Sequence, residues 1–301
     1  MTRIHERLAR QLKGPVRRDE PMARHTTYRI GGPAALLVVC DTIADLSSVF
    51  TLLCDEGLPW TVLGKGSNVL VSDAGFEGAV IILGKEFKRH RTEVGQVRSG
   101  AGVTLAALVQ DAYSRGLSGL EFAVGIPGTV GGALAMNAGS RDQWIGERVE
   151  SVTLYVPGEG LMVVRGAEIE WGYRSSGLPE RGVIVECSLA LEEGDCERIR
   201  RTMDARFLSR KSTQPVGTPN AGSVFINPEG DSAGRLIQAC GLKGFRFGGA
   251  QVSEVHANFI VNTGSATAAD VLDLIDHVRG VVRERHGIEL ETELRFLGTQ
   301  T

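Results

Sequence analysis

Residues 125–139 read Gly-Ile-Pro-Gly-Thr-Val-Gly-Gly-Ala-Leu-Ala-Met-Asn-Ala-Gly. Five of the first eight are glycine or proline, so neither a regular helix nor a central strand can begin there, and the backbone must pass through tight turns. Two structures satisfy such a run. One is a cradle whose successive N–H groups, with a helix-compatible stretch behind them, face a phosphate or pyrophosphate. The other is a buried corner in which glycine serves packing alone, and taken by itself the run fits that simpler reading.

A second run, Leu63-Gly64-Lys65-Gly66-Ser67-Asn68-Val69-Leu70-Val71, sets another small-residue turn between two apolar segments. It is not a nucleoside-triphosphate loop, because Lys65 is followed by Gly66 rather than Ser or Thr. It is not the dinucleotide fingerprint either: Val69 stands where the third glycine belongs, and Gly100-Ala101-Gly102 has Leu105 at that place. Glycine supplies 39 of 301 residues, about 13% against roughly 7% in ordinary chains. That excess fits a protein whose ligand contacts are main-chain loops.

The remaining composition excludes several classes. Thirty-six acidic against 33 basic residues give a net charge of −3, so no global field attracts nucleic acid or an anionic membrane, and an anionic substrate needs a local basic cluster. Five cysteines, Cys40, Cys54, Cys187, Cys196 and Cys240, are odd in number and form no Cys-x-x-Cys pair; they read as core residues or free thiols of a reducing compartment. The charged opening Met1-Thr2-Arg3-Ile4-His5-Glu6-Arg7 lacks the apolar core of a signal peptide, and no apolar stretch approaches 18 residues, so a cytoplasmic protein is expected. The six histidines show no metal-ligand spacing.

Periodicity predicts a surface helix on Ile4, Leu8 and Leu12, a strand over 34–40, a helix over 42–56 and strands over 69–71 and 79–83. Lys85 to Arg91 is a basic run with one apolar residue, read as a solvated face or linker. A strand over 96–99 and a helix over 104–112 precede the glycine run. Beyond it come a hairpin of 149–156 with 161–164, a strand over 183–189, an arginine-rich helix over 197–211 and a break at Gln214 to Pro219. A helix over 233–239, a strand over 258–261, a helix capped by Thr267 and Asp270 and closed by Gly287, and a strand over 288–297 complete the chain.

The two glycine runs, extended to Gly64–Asp73 and 125–139, together with Tyr173-Arg174-Ser175-Ser176 and Asn220-Ala221-Gly222-Ser223-Val224-Phe225-Ile226-Asn227-Pro228, resemble the UDP-N-acetylenolpyruvoylglucosamine reductase family. The motifs stand in the family's order, from His25-Thr26-Thr27-Tyr28-Arg29-Ile30-Gly31-Gly32 to Glu293-Leu294-Arg295, so the resemblance spans nearly the whole chain. It implies an α+β (mixed α/β) protein: a two-subdomain FAD-binding fold of the vanillyl-alcohol-oxidase type, 1–94 and 95–205, plus a C-terminal α/β substrate-binding domain, 206–301, whose last strand returns Glu293 to the active site. The 49 positions from Arg174 to Ser223 (223 − 174) leave no room for the tyrosine-bearing insertion of the family's longer class, and the chain resembles the shorter one.

The resemblance also implies a chemistry. NADPH gives hydride to non-covalent FAD, which passes it to the terminal carbon of an enolpyruvyl ether on a UDP-sugar; negative charge then spreads into the carboxylate and the adjacent carbon takes a proton. Arg174 matches the arginine beside that carboxylate, where a planar, permanently charged fork is suited; its plain alternative is a salt bridge at a strand end. Ser223 matches the proton donor, a weak acid facing a strongly basic intermediate, although a serine after Asn-Ala-Gly otherwise reads as a turn hydrogen bond. Glu293 matches the third catalytic residue, and strand alternation would set Glu291, Glu293 and Arg295 on one face. Lys211, Asn227 and Arg295 match contacts to the UDP-sugar, Lys211 being equally at home in a basic helix. Gly64, Gly66, Ser67, Asn68, Val69, Gly125, Ile126, Pro127, Gly128, Thr129, Gly132, Asn137 and Gly139 match the FAD-binding loops, and no flavinylating histidine stands in them. Gln251 and His256 either line the pocket or pack in the core. A monomer or weak oligomer with no nucleic-acid, membrane or metal partner is expected. An FAD oxidase or dehydrogenase of the same fold with a different small substrate and a non-enzymatic nucleotide-binding or regulatory protein are the competing readings.

Overall fold

The computed structural model describes residues 1–93, 95–140 and 142–298. In chain order the elements are α1 (Thr2–Gln11), β1 (Val16–Pro21), β2 (Pro33–Cys40), α2 (Ile43–Asp55), β3 (Trp60–Val62), β4 (Val69–Val71), β5 (Phe76–Leu83), β6 (His90–Glu93), β7 (Gln96–Gly100), α3 (Leu105–Ser114), β8 (Leu117–Ser118) and α4 (Val130–Ala135). They continue with β9 (Val149–Val156), β10 (Gly160–Arg165), α5 (Leu178–Arg181), β11 (Val183–Ala190), β12 (Glu192–Glu193), α6 (Cys196–Thr213), α7 (Ala233–Ala239), β13 (Arg246–Phe247), β14 (Ala250–Val252), β15 (Ile260–Asn262), α8 (Ala268–His286) and β16 (Arg295–Leu297). Helices and strands alternate without segregation, which is the mixed class expected. Among the described residues no helix is long and apolar enough to cross a membrane, and no cluster of metal-ligating side chains occurs.

The chain divides into two compact units, each assembled from separate stretches: 1–18, 36–65 and 78–208 in one, and 19–35, 66–77 and 209–301 in the other. The boundary expected at residue 94 falls on Val94, outside the described residues. The one expected between 205 and 206 lies within the continuous helix α6.

In the first unit one sheet runs β1-β2-β5-β3, with β3 parallel to β5, and a second runs β10-β9-β11-β7-β6 with antiparallel pairing throughout. Helix α2 begins as its sequence dictates: Thr42 Oγ1 accepts the Asp45 N–H at 3.1 Å, while the Asp45 carboxylate accepts the Thr42 N–H at 2.9 Å, a reciprocal cap. Its apolar face, Leu46, Val49, Phe50, Leu52 and Leu53, is buried in a core that also takes Ile4, Leu8 and Leu12. The narrow stripe of α1 is therefore a core face, with the remainder of that helix in solvent. The β9–β10 hairpin forms with Gly160 opposite Val156, turning at Gly158 with φ +83°.

The second unit has its own core, in which Tyr28, Ile30 and Leu70 join Val224, Phe225, Leu236, Ile237 and the apolar stripe of α8. Antiparallel β13-β14-β15 forms one sheet, and β16 lies parallel to β4, pairing Arg295 with Val69. The single strand expected over 288–297 is instead two short pairings. Phe225 bridges Thr292 in antiparallel fashion, the chain bends at Leu294, and only Arg295–Leu297 runs along β4. Simple alternation across Glu291, Glu293 and Arg295 is thereby broken, because the strand changes partner between them.

Candidate active site

The two glycine runs touch each other within the first unit. A Cβ on Gly64 would stand 2.5 Å from Thr129 Oγ1, closer than real Cβ atoms come, so this approach requires glycine. Within 125–139 the glycines have different duties. Gly125 (φ +74°) and Gly128 (φ +141°) make turns open to few other residues. Gly131 and Gly139 serve packing, since a Cβ on the first would meet Ala101 Cβ at 2.9 Å and one on the second Gln143 O at 2.4 Å. The N–H groups of Val130 and Gly131 donate to Val103 O (2.9 Å) and Ala101 O (2.8 Å), and that of Gly132 to Thr129 Oγ1 (3.3 Å). From Val130 onward the run is thus a packed corner and helix start, and within 125–129 the Ile126 N–H is also bonded internally, to Ala123 O at 3.0 Å.

Asn137 has φ +41° and is 4% exposed. Its Nδ2 donates to Gly172 O at 2.9 Å and its Oδ1 accepts the Gly146 N–H at 3.1 Å. Arg174, two residues past Gly172, has φ +55° and lies with its guanidinium carbon 5.0 Å from the centre of the exposed Tyr173 ring. Ser176 Oγ donates to Ala135 O at 3.2 Å. Arg206, on the arginine-rich helix α6, donates to Ser140 Oγ (3.2 Å) and Gln143 Oε1 (3.0 Å), holding the loop that leaves the glycine run.

The second unit contains Gly66, Ser67, Asn68, Val69, Lys211, Ser223, Asn227, Glu293 and Arg295. Gly66 (φ +58°) again admits no Cβ, which would fall 2.5 Å from His25 O and 2.8 Å from Thr26 Cα. Thr27 ties this turn to the Ser223 segment: its N–H and hydroxyl donate to Gly66 O (3.2 and 3.3 Å), and the hydroxyl also reaches Asn220 O at 2.8 Å. Asn68 Nδ2 donates to Glu293 O at 3.1 Å, and the Arg295 N–H donates to Asn68 O at 3.1 Å. Glu293 N–H donates to Val224 O at 2.8 Å, one residue after Ser223. The Gly66–Val69 turn, Ser223 and Glu293 therefore sit on adjoining backbone. Ser223 and Glu293 are half-buried and Arg295 is exposed. Lys211 is an exposed residue in the last turn of α6, and Asn227 uses Oδ1 to accept the Ala233 N–H at 3.1 Å, helping to start α7.

Two residues that carry this arrangement gave no chemical signal in the sequence. Asn258, 4% exposed, accepts the Phe225 N–H at 2.9 Å and donates to Phe225 O at 2.8 Å, while its own carbonyl takes the Val224 N–H. It fixes the backbone beside Ser223 as an added strand would. Thr27 was visible only as part of a motif. Gln251 donates to Gly244 O and accepts from Arg246, and half-buried His256 packs edge-on to Phe259 with Nδ1 accepting the Asn258 N–H at 3.2 Å. Burial, reinforced by the nearby Lys243 charge, pulls the His256 imidazole below its ordinary 6.5.

Residues 34–164 match the family model described as FAD binding domain, and residues 214–297 match the one described as UDP-N-acetylenolpyruvoylglucosamine reductase, C-terminal domain. Over 297 residues the chain is 46% identical to the UDP-N-acetylenolpyruvoylglucosamine reductase of Heliobacterium modesticaldum, covering 97% of this chain and 93% of that protein. The chain belongs to the UDP-N-acetylenolpyruvoylglucosamine reductase family. The Bacillus subtilis reductase is 41% identical over 300 residues, covering 99% of both chains. The crystal structure of the Thermus caldophilus reductase superimposes with a TM-score of 0.82 at 39% identity, covering 95% of this chain and 99% of that one. The group that this family implies, FAD, carries a pyrophosphate that needs close approach of main chain, and the residues present fit that need: Gly64 and Gly66 each stand where a Cβ would collide with its own unit, and Gly125 and Gly128 adopt positive φ.

Proposed function

We propose that this protein reduces UDP-N-acetylglucosamine enolpyruvate to UDP-N-acetylmuramate with NADPH, in peptidoglycan precursor synthesis. When bound, FAD supplies hydride transfer from the nicotinamide to the enolpyruvyl carbon. Arg174 stabilises the negative charge that collects on the substrate carboxylate, since a guanidinium keeps its charge at every working pH and meets a carboxylate with two parallel donors. Ser223 supplies the proton to the adjacent carbon, and Glu293 orients the reacting region. Gly64, Gly66, Ser67, Asn68, Val69 and residues 125–129 hold the cofactor, with Gly132 and Gly139 shaping that loop. Lys211, Asn227 and Arg295 take the UDP-sugar. The functional division runs 1–94, 95–205 and 206–301, and the protein works in the cytoplasm as a monomer or weak oligomer serving cell shape and division.

The observation that most supports this reading is the Glu293 N–H on Val224 O at 2.8 Å together with Asn68 Nδ2 on Glu293 O at 3.1 Å. Three segments far apart in sequence, each holding residues matched to flavin or catalysis, are hydrogen-bonded into one patch. The experiment is anaerobic: the yellow protein is bleached with NADPH, then given the enolpyruvyl substrate. Ser223→Ala is expected to bleach normally and to lose recolouring by at least a hundredfold. Undiminished recolouring in that variant refutes the role of Ser223, and rapid oxygen uptake with an alcohol would turn the assignment to an oxidase of the same fold.

A further inference from the structure

Two of the four described non-glycine residues with positive φ are Asn137 (+41°) and Arg174 (+55°). A charged, long-chained residue gains nothing locally from the left-handed region, which is strained for any residue with a Cβ, so surrounding contacts must hold Arg174 there. The turn that carries Arg174 is tied to the end of the glycine run. Gly172 and Ser175 close the turn around Tyr173 and Arg174, with the Gly172 N–H donating to Ser175 O at 3.0 Å. Asn137 Nδ2 donates to Gly172 O at 2.9 Å at the entry of that turn, and Ser176 Oγ donates to Ala135 O at 3.2 Å at its exit. Both tying groups are buried, Asn137 at 4% and Ser176 at 3% exposure.

Asn137 is itself fixed from a third side, because its Oδ1 accepts the Gly146 N–H at 3.1 Å. Gly146 is packed so closely that a Cβ there would lie 2.5 Å from the Trp171 ring and 2.9 Å from that same Oδ1. A buried amide with donor and acceptor both satisfied is costly to displace, and it transmits its placement to whatever it holds.

We infer that Asn137, with Ser176, is a positioning residue that clamps the Arg174 turn onto the end of the cofactor loop. Resting on the role proposed above for Arg174, this gives Asn137 a duty toward substrate rather than toward flavin. The clamp fixes where the guanidinium can point, so its loss should slow the step in which charge develops on the substrate and spare the step in which NADPH reduces the enzyme.

The test uses the full-length flavoprotein and follows bleaching and recolouring separately by stopped flow, alongside FAD affinity by calorimetric titration of the apoprotein. Asn137→Gly keeps the positive φ without strain and deletes both amide bonds. It is expected to bind FAD and bleach within about threefold of the parent but to recolour at least tenfold more slowly. Its affinity for the product, read from the flavin spectrum, should fall in the same variant. Combined with Arg174→Lys it should slow recolouring no further than Arg174→Lys alone, because both changes damage one interaction. Equal losses in bleaching and recolouring, a matching loss of FAD affinity, or multiplying effects in the double variant would overturn the inference. Should Asn137→Gly not fold, Ser176→Ala, which deletes a single hydroxyl, decides the matter by the same comparison: a selective slowing of recolouring supports the clamp, and parental rates in both steps overturn it. If Arg174→Lys itself recolours at the parental rate, the role of Arg174 has failed, and the clamp, which acts through it, fails with it. A slow Arg174→Lys beside a parental Asn137→Gly rejects the clamp alone.

Discussion

Buried asparagines do much of the loop-holding in this protein. Asn137, Asn258 and Asn262 are each 4–6% exposed and each bonds main-chain groups through both ends of its amide. An amide can replace a strand or turn partner where the backbone is irregular, and burial without such partners would cost more than the bonds return. Asn258 in turn uses His256, whose Nδ1 accepts its N–H. Because burial lowers the folded pKa of His256 below 6.5, the unfolded chain takes up a proton first as pH falls. Stability is therefore expected to drop below pH 6.5 and to level off once the pH passes beneath the folded value. Urea unfolding at pH 7.5 and 5.5 measures this: His256→Gln should show a smaller decline than the parent, and an equal decline would exclude His256 as its source. The sequence made glycine positions legible but not their separate duties. Gly125 and Gly131 look alike in sequence, and only their neighbours make one a turn and the other a packing contact.

At the scale of elements, most helices were readable because caps and apolar periodicity are local. Helix α8 shows both. Thr267 Oγ1 accepts the Asp270 N–H at 3.0 Å, and the Asp270 carboxylate accepts the Thr267 N–H at 3.0 Å; Gly287 closes the helix with φ +68°. What was not readable is that Asp73, at the end of the first glycine motif, completes the cap by accepting the N–H groups of Ala268 and Ala269 at 2.8 and 3.0 Å. Its place in a ligand-loop motif suggests chemistry, whereas its contacts are those of a helix cap 195 positions away. Asp73→Ala is expected to lower unfolding stability by about 1–2 kcal/mol with the rate of flavin bleaching unchanged. Denaturant titration and stopped flow together check it, and a bleaching defect at unchanged stability would contradict it. The last strand, Arg295–Leu297, is shorter than the 288–297 its sequence predicts for a related reason. Alternation predicts extended backbone but not its partner, and here the partner changes at Leu294.

On the scale of the whole molecule, the chain passes between its two units after Arg18, Ala35, Lys65, Glu77 and Leu208. The second core consequently depends on Tyr28, Ile30 and Leu70, which lie far upstream of the C-terminal segment that supplies the rest. A fragment of residues 209–301 is expected to lack cooperative unfolding despite matching a C-terminal domain over 214–297, because it leaves that core open. Circular dichroism with thermal melting checks this, and a sharp melt would show the segment sufficient by itself. A sequence read in order divides naturally into consecutive domains, so shared cores of this kind are invisible to it. The sequence by itself determined the family, the mixed architecture, the helices and the chemical types at the site, since motif identity, caps and periodicity are written in neighbouring residues. Only the tertiary structure decided that Thr27 joins Gly66 to Asn220, that Asn68 meets Glu293, and that Asn137 holds the turn of Arg174. Those hydrogen bonds depend on distances in space between residues dozens to hundreds of positions apart, and no local pattern records them.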